Sequence, residues 1–275
     1  MASASKLSWA PSWKGILLIA LTFLMGVVLG SVLTLILAKA GIGTEVSMLV
    51  SYPAMFLFTG ILACVRGRKK GSVKSVLDRP VSGRDWLLFP LVMVLTFAAS
   101  FVCDVLNSLL PEMPEYLQQA LASATGGNFW LNFISVAVMA PLLEEWLCRG
   151  MILRGLLKNG THPVLAIALS ALFFAVIHGN LWQALPAFLL GALFGYVYYK
   201  TGSLKLTVLM HFTNNFTSLL VSRIDEVGDT DSWINVMPEG CYWVLFVFFV
   251  LSLIAGIGAL SRLHVVDSEN VGSVS

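Results

Sequence analysis

Apolar and polar positions alternate on the scale of whole helices, in long greasy blocks divided by short polar ones, rather than at the 3.6- or two-residue spacing of amphipathic elements. The blocks run over about 15–37, 46–65, 86–110, 129–157, 163–178, 182–199, 204–221 and 242–260. Their length and apolarity are those expected of membrane-spanning helices. The pattern therefore predicts an all-α fold, a polytopic membrane bundle of about eight transmembrane helices forming one membrane domain over 1–275. Residues 129–221 would be its functional core. Between the third and fourth blocks the Pro-rich, acidic linker (Pro111, Glu112, Pro114, Glu115, then Gly126-Gly127) predicts a short surface helix around 115–123. Residues 262–275 read as a polar, disordered tail. Ala38-Lys39-Ala40 imitates a signal-cleavage site, but the 15–37 run exceeds the roughly 7–15 residues of a signal h-region, so an uncleaved span is expected.

Composition agrees: 57% hydrophobic, 12% charged and a mean hydropathy of +0.85 exclude an ordinary soluble domain. A net charge of +2 is too small to imply a nucleic-acid partner, and the lipid bilayer is the expected surrounding. Cys64, Cys103, Cys148 and Cys241 show no CxxC pairing, which argues against a disulfide framework or a zinc ribbon. Charge also sets orientation. Arg66, Arg68, Lys69, Lys70, Lys74, Arg79 and Arg84, against only Asp78 and Asp85, make the 66–84 loop cytoplasmic by the positive-inside rule. Both termini then face the cytoplasm, as do Lys158, Lys200, Lys205 and Arg262. The acidic stretches around Glu112 and Glu115, and from Asp225 to Glu239, fall outside. The basic loop reads as a topology anchor on anionic lipid. Asp104 and Asn107 lie near the outer end of the third block, and the sequence leaves open whether Asp104 is interfacial or faces the bundle.

Glu144, Glu145 and Arg149 break this economy. A charge at bilayer depth costs about 2.5–3.5 kcal/mol on insertion scales, so two adjacent carboxylates mid-helix call for more than folding. At 1.5 Å per residue, Glu144 lies roughly 20 Å from the cytoplasmic end of its helix, His178 about 20 Å into the next, and His211 and Asn215 roughly 10–17 Å into theirs. These groups can meet near mid-membrane. Glu145 and Arg149 are spaced i,i+4 and read as a neutralised structural pair. Glu144, about 100° round the helix, points to different neighbours and stays free. No GxSxG, HExxH or GxGD aspartate accompanies them. A carboxylate beside an imidazole can hold and deprotonate water, and a second His with an Asn can donate to the oxyanion formed at an amide carbonyl. The set suits peptide hydrolysis without a covalent intermediate.

The same residues form Glu144-Glu145-Trp-Leu-Cys-Arg149 (EExxxR), Phe174-Ala-Val-Ile-His178 (FxxxH) and His211-Phe-Thr-Asn-Asn215 (HxxxN), in order on three blocks. In this, residues 129–220 resemble the CPBP family of intramembrane proteases, which includes CAAX prenyl endopeptidases and bacterial Abi-type proteins. The resemblance implies a glutamic-type intramembrane endopeptidase. In it Glu144 and His178 activate water, His211 and Asn215 stabilise the oxyanion, and Glu145 with Arg149 support the motif helix. Nothing in the chain speaks for a prenylated substrate, so a bacterial cell-membrane role on membrane-associated peptides or proteins is expected.

Simpler roles account for several other residues. Cys148 shares the Glu144 face but reads as packing, as do Phe173, Phe174, Trp182 and Tyr196. Gly26–Gly30 and Gly191–Gly195 are GxxxG spacings suited to close helix contact. Asn215-Phe-Thr217 is a glycosylation sequon placed inside a span, and is discounted. Three other functions compete with the protease: a silent scaffold or immunity factor using the same polar cavity, a zinc-dependent variant with Glu144, His178 and His211 as ligands, and a proton-relaying transporter. No cofactor is expected, zinc remaining an alternative. The transporter lacks matching broken helices in two halves. Substrate-binding residues and oligomeric state are not written in the sequence.

Overall fold

Helices form at all eight apolar blocks. The structure, a computed structural model, describes residues 10–69, 85–224 and 232–263. The basic loop from Lys70 to Arg84, the acidic stretch 225–231 and the tail from His264 onward lie outside the described residues. We number the helices α1 (Trp13–Lys39), α2 (Thr44–Met55), α3 (Leu57–Lys69), α4 (Leu88–Asn107), α5 (Glu115–Thr125), α6 (Phe129–Lys158), α7 (Pro163–Val176), α8 (Leu181–Thr201), α9 (Leu204–Val221) and α10 (Glu239–Ser261). The described part is an all-α bundle. Helix α5 is the short helix predicted in the Pro-rich linker.

Among the described residues six stretches are long and apolar enough to cross a membrane: α1, the α2–α3 pair, α4, α6, α8 and α10. This makes the chain a multi-pass membrane protein. The fifth and seventh predicted spans differ. Helix α7 has 14 residues, about 21 Å, against a hydrocarbon core of about 30 Å. Helix α9 has the length, at 18 residues, but carries His211, Asn214 and Asn215. The second block is also divided: Pro53 lies inside α2, and the chain turns at Phe56 before α3 begins.

Local signals start the helices that carry the motifs. Asn128 accepts from the backbone N–H groups of Trp130 and Leu131 at the head of α6. Asn180 accepts from Gln183 N at α8, and Ser203 from Leu206 N at α9. Each oxygen satisfies an N–H that the helix leaves unpaired. Helix α7 begins at Pro163, whose missing N–H costs nothing at that position. Within α6, two stretches, Phe133–Met139 and Trp146–Leu153, adopt the wider π geometry around an α-helical centre of Ala140–Glu145. Such widening is frequent at functional sites.

Two buried apolar clusters surround the polar centre. One joins α1–α3 to α6 and α7 through Ile19, Phe23, Phe56, Leu147, Ile152 and Phe174. The other joins α4, α8, α9 and α10 through Leu95, Phe194, Met210 and Leu260. Gly26 lets α1 close on α2, since any Cβ there would overlap the Met55 carbonyl. Outward faces of α1 and α10 expose Leu17, Leu24, Val28, Val244, Phe248 and Leu251, the surface a lipid-facing helix presents. Polar ties close the ends. Asp104 faces inward: it accepts from Ser232 Oγ (2.7 Å), Trp233 N and Tyr242 Oη (3.0 Å), fastening α4 to the start of α10.

Candidate active site

Helix α6 brings the first motif into the interior as two buried carboxylates and a buried guanidinium. Glu144 is 7% exposed, Glu145 and Arg149 are fully buried, and His211 is 3% exposed. Arg149 Nη1 donates to Glu145 Oε1 at 2.8 Å, the i,i+4 pair read from spacing. Its Nη2 donates to the Gly191 carbonyl of α8 at 2.9 Å. The guanidinium plane lies over Phe174 (4.6 Å to the ring centre) and faces Phe194 at 5.5 Å. A charge-assisted hydrogen bond, a backbone acceptor and two π faces offset part of the hydration this cation gives up, while its Nε has no hydrogen-bond partner among the described residues.

His211 stands between the two carboxylates. Its Nδ1 lies 3.1 Å from Glu145 Oε1 and its Nε2 lies 3.8 Å from Glu144 Oε2. The carboxylates have separate hydrogen-bond partners, Tyr52 for Glu144 and Arg149 for Glu145, but share His211 between them. Adjacent positions on α6 reach opposite edges of one ring, because an imidazole presents its two nitrogens in different directions. Chemistry also constrains the protons. The Arg149-paired Glu145 oxygen can only accept, so Nδ1 carries a hydrogen. His211 Nε2 then faces the Glu144 carboxylate across 3.8 Å. Separations beyond about 3.5 Å between such partners are those a bridging water accommodates. Glu144 Oε2 takes no hydrogen bond from the described residues, while Oε1 accepts from the Tyr52 hydroxyl of α2.

His178 follows the end of α7, where its Nδ1 lies 2.7 Å from the Phe174 carbonyl. A carbonyl only accepts, so Nδ1 is the donor and Nε2 keeps its lone pair. Among the described residues His178 makes no hydrogen bond or ion pair with Glu144. The two share a level instead. Phe174 meets Arg149, and from that contact Glu144 lies five residues outward on α6 and His178 four outward on α7, roughly 6–8 Å in each case. The Phe174 ring meets both imidazoles edge-on, His178 at 4.9 Å and His211 at 5.3 Å between centres. Phe174, read from sequence as packing, thus divides and orients the two histidines.

Asn215, one turn beyond His211 on α9, is held by a relay. Ser100 Oγ of α4 donates to Asn214 Oδ1 at 2.7 Å, Asn214 Nδ2 donates to Asn215 Oδ1 at 3.2 Å, and Asn215 Nδ2 donates to the Val136 carbonyl at 2.9 Å. One of the two Asn215 N–H bonds is left for another acceptor. The Val136 carbonyl lies in the first π stretch of α6, where the wider turn turns carbonyls away from the regular ladder.

Among the described residues no group of three or more His, Cys, Asp or Glu side chains is arranged to hold a metal ion. Cys148 is buried in the core and its carbonyl accepts from Ser170 Oγ. Sequence reasoning missed Tyr52, Ser100, Asn214 and the Gly191 carbonyl. Gly191 was marked only by its GxxxG spacing, and the others only by polarity inside an apolar block, which Ser100 and Asn214 share with many packing residues.

A family model described as type II CAAX prenyl endopeptidase Rce1-like matches residues 126–217. That third of the chain runs from the loop capping α6 to two residues past Asn215. It takes in all three motifs and leaves out α1–α5 and α10. No curated protein and no solved structure matches the chain.

Proposed function

We propose that this chain, which belongs to the CPBP/CAAX-protease family through residues 126–217, is a glutamic-type intramembrane endopeptidase that hydrolyses membrane-associated peptides or proteins. The observation that carries the reading is the Glu144–His211–Glu145–Arg149 cluster, two carboxylates, an imidazole and a guanidinium buried together inside an apolar bundle. A purely structural ion pair needs only Glu145 and Arg149. Glu144 and His211 add a carboxylate facing an imidazole, with an oxygen still able to accept.

In this mechanism a water docks against Glu144 Oε2 and attacks the substrate carbonyl carbon, and one of its protons passes to Glu144. His178, with its Nε2 lone pair kept by the Phe174 carbonyl, orients the water. The developing oxyanion takes hydrogen bonds from protonated His211 Nε2 and from the remaining Asn215 N–H. Collapse breaks the C–N bond, and Glu144 returns the proton to the leaving amine. Positioned general base catalysis contributes about 10²–10⁴-fold, and each oxyanion donor about 10²–10³-fold. No cofactor enters. The family description names CAAX prenyl substrates; for this chain we propose the wider class of membrane-bound peptides, with the bacterial cell membrane as its location.

The test is substitution of Glu144 by Gln, which keeps the shape and the acceptor for Tyr52 but removes the base. New peptide termini in membranes containing wild-type protein should be absent, reduced at least about 10²-fold, with Glu144→Gln. Cleavage by purified Glu144→Gln protein at the wild-type rate overturns the mechanism. Stoichiometric zinc in purified wild type, lost with His178→Ala, would replace it by the metal-dependent form. Partner capture without any cleavage would replace it by the scaffold.

A further inference from the structure

The carboxylate proposed as base is not held by the matched segment alone. Tyr52, on α2 and 92 residues away in sequence, donates its hydroxyl proton to Glu144 Oε1. Its ring packs on Phe56 at 5.7 Å between centres, and Phe56 in turn meets Phe23 of α1 at 5.2 Å. Pro53 follows directly within α2. We infer that Tyr52 is a positioning residue for the reaction, fixing which Glu144 oxygen faces the water and tying the α1–α3 unit into the active site.

A free carboxylate rotates about its last torsion with little preference between its oxygens. A hydroxyl on Oε1 removes that freedom and leaves Oε2 toward His211 Nε2, where hydrolysis needs it. Tyrosine supplies this at low entropic cost, having two side-chain torsions and a rigid ring seated in an aromatic group. Phenylalanine at 52 would keep the ring and its packing and lose only the proton donor. The α1–α3 unit is in this reading part of the active site, although it lies outside the family match.

The inference rests on Glu144 acting as the base, and its test separates the two ideas. Tyr52→Phe should lower kcat about 10–100-fold while leaving KM and the thermal midpoint near wild type, as expected when a reacting group loses alignment by a fraction of an ångström. Restoring a hydroxyl at position 52 with 3-fluorotyrosine should restore turnover. The fluorine resonance of that protein reads the contact without turnover, and it should move when Glu144 is replaced by Ala, which removes the acceptor. An unmoved resonance, or wild-type kcat in Tyr52→Phe, overturns the inference. A moved resonance in a protein whose wild type cleaves nothing keeps the Tyr52–Glu144 contact and rejects the positioning role together with the proposed reaction. If Tyr52→Phe does not fold, the fluorotyrosine protein alone decides the contact.

Discussion

Arg149 illustrates how little at this site rests on one bond. Its guanidinium serves Glu145, the Gly191 carbonyl and two aromatic faces, while Glu145 serves Arg149 and His211 at once. Removing one partner of a buried pair leaves an uncompensated charge, which costs about 3–5 kcal/mol, whereas removing both charges together costs far less. Arg149→Met should therefore lower thermal stability in detergent severely. Glu145→Gln combined with Arg149→Met should recover most of it, because the carboxamide introduced at position 145 still accepts from His211 Nδ1. Calorimetry or a dye-monitored melt checks both, and equal loss in the single and double variants would show that the cation acts through packing alone. The Glu145–Arg149 pair was legible because helical spacing is local and i,i+4 positions must meet. The double engagement of His211 and the Tyr52 bond were not. They depend on how separate helices rotate against one another, which residue spacing within a helix does not encode.

Among the helices, the two glycines of α8 offer a controlled comparison. A Cβ on Gly191 would sit 3.1 Å from Phe174 Cδ1 and 3.2 Å from Arg149 Nη2. On Gly195 it would meet Ile167 Cγ2 at 3.2 Å and Leu153 Cδ2 at 3.5 Å. Both substitutions to Ala crowd by a similar amount and gain similar helix propensity, about 0.5–1 kcal/mol. Crowding in a tight core costs about 1–3 kcal/mol, so each should be neutral to mildly destabilising. Activity should separate them. Gly191→Ala pushes the ring that divides the two histidines and should lower turnover per folded molecule severalfold, while Gly195→Ala presses only aliphatic side chains and should leave it unchanged. Equal turnover in both would remove Phe174 from the active arrangement. The GxxxG spacing announced close packing here, and the structure has it. What the spacing could not say is that one glycine of the pair fronts a cation and the other an alkyl surface. The π stretches of α6 and the turn at Phe56 were equally silent, because the length and apolarity of a block do not record where its helical ladder widens or breaks.

For the whole molecule, the apolar blocks told of a multi-pass all-α bundle because a bilayer requires internally satisfied backbone over a set length. Orientation rests on a different signal, the placement of basic residues, and we propose that both termini face the cytoplasm. Polar ties group the same elements at each end. The Trp182 indole donates to the Pro111 carbonyl at 2.8 Å, and Arg223 donates to the Thr125 and Gly127 carbonyls, which collects the acidic linker and the turns after α7 and α9 at one end. Lys200 Nζ donates to the Ser261 carbonyl, and Asn159 Nδ2 to the Pro11 carbonyl, which collects the basic ends at the other. Cys64 and Cys241 are exposed, near the ends of α3 and α10 that belong to opposite groups, while Cys103 and Cys148 are buried. The four cysteines are therefore built-in reporters. A membrane-impermeant maleimide added to intact cells should label Cys241 and spare Cys64, and opening the membrane should expose Cys64 without reaching Cys103 or Cys148. Single Cys64→Ser and Cys241→Ser variants assign each signal. Labelling of Cys64 from outside, with Cys241 protected, would invert the molecule and put the basic ends of α3, α6 and α8 outside, against the charge bias that orients membrane helices.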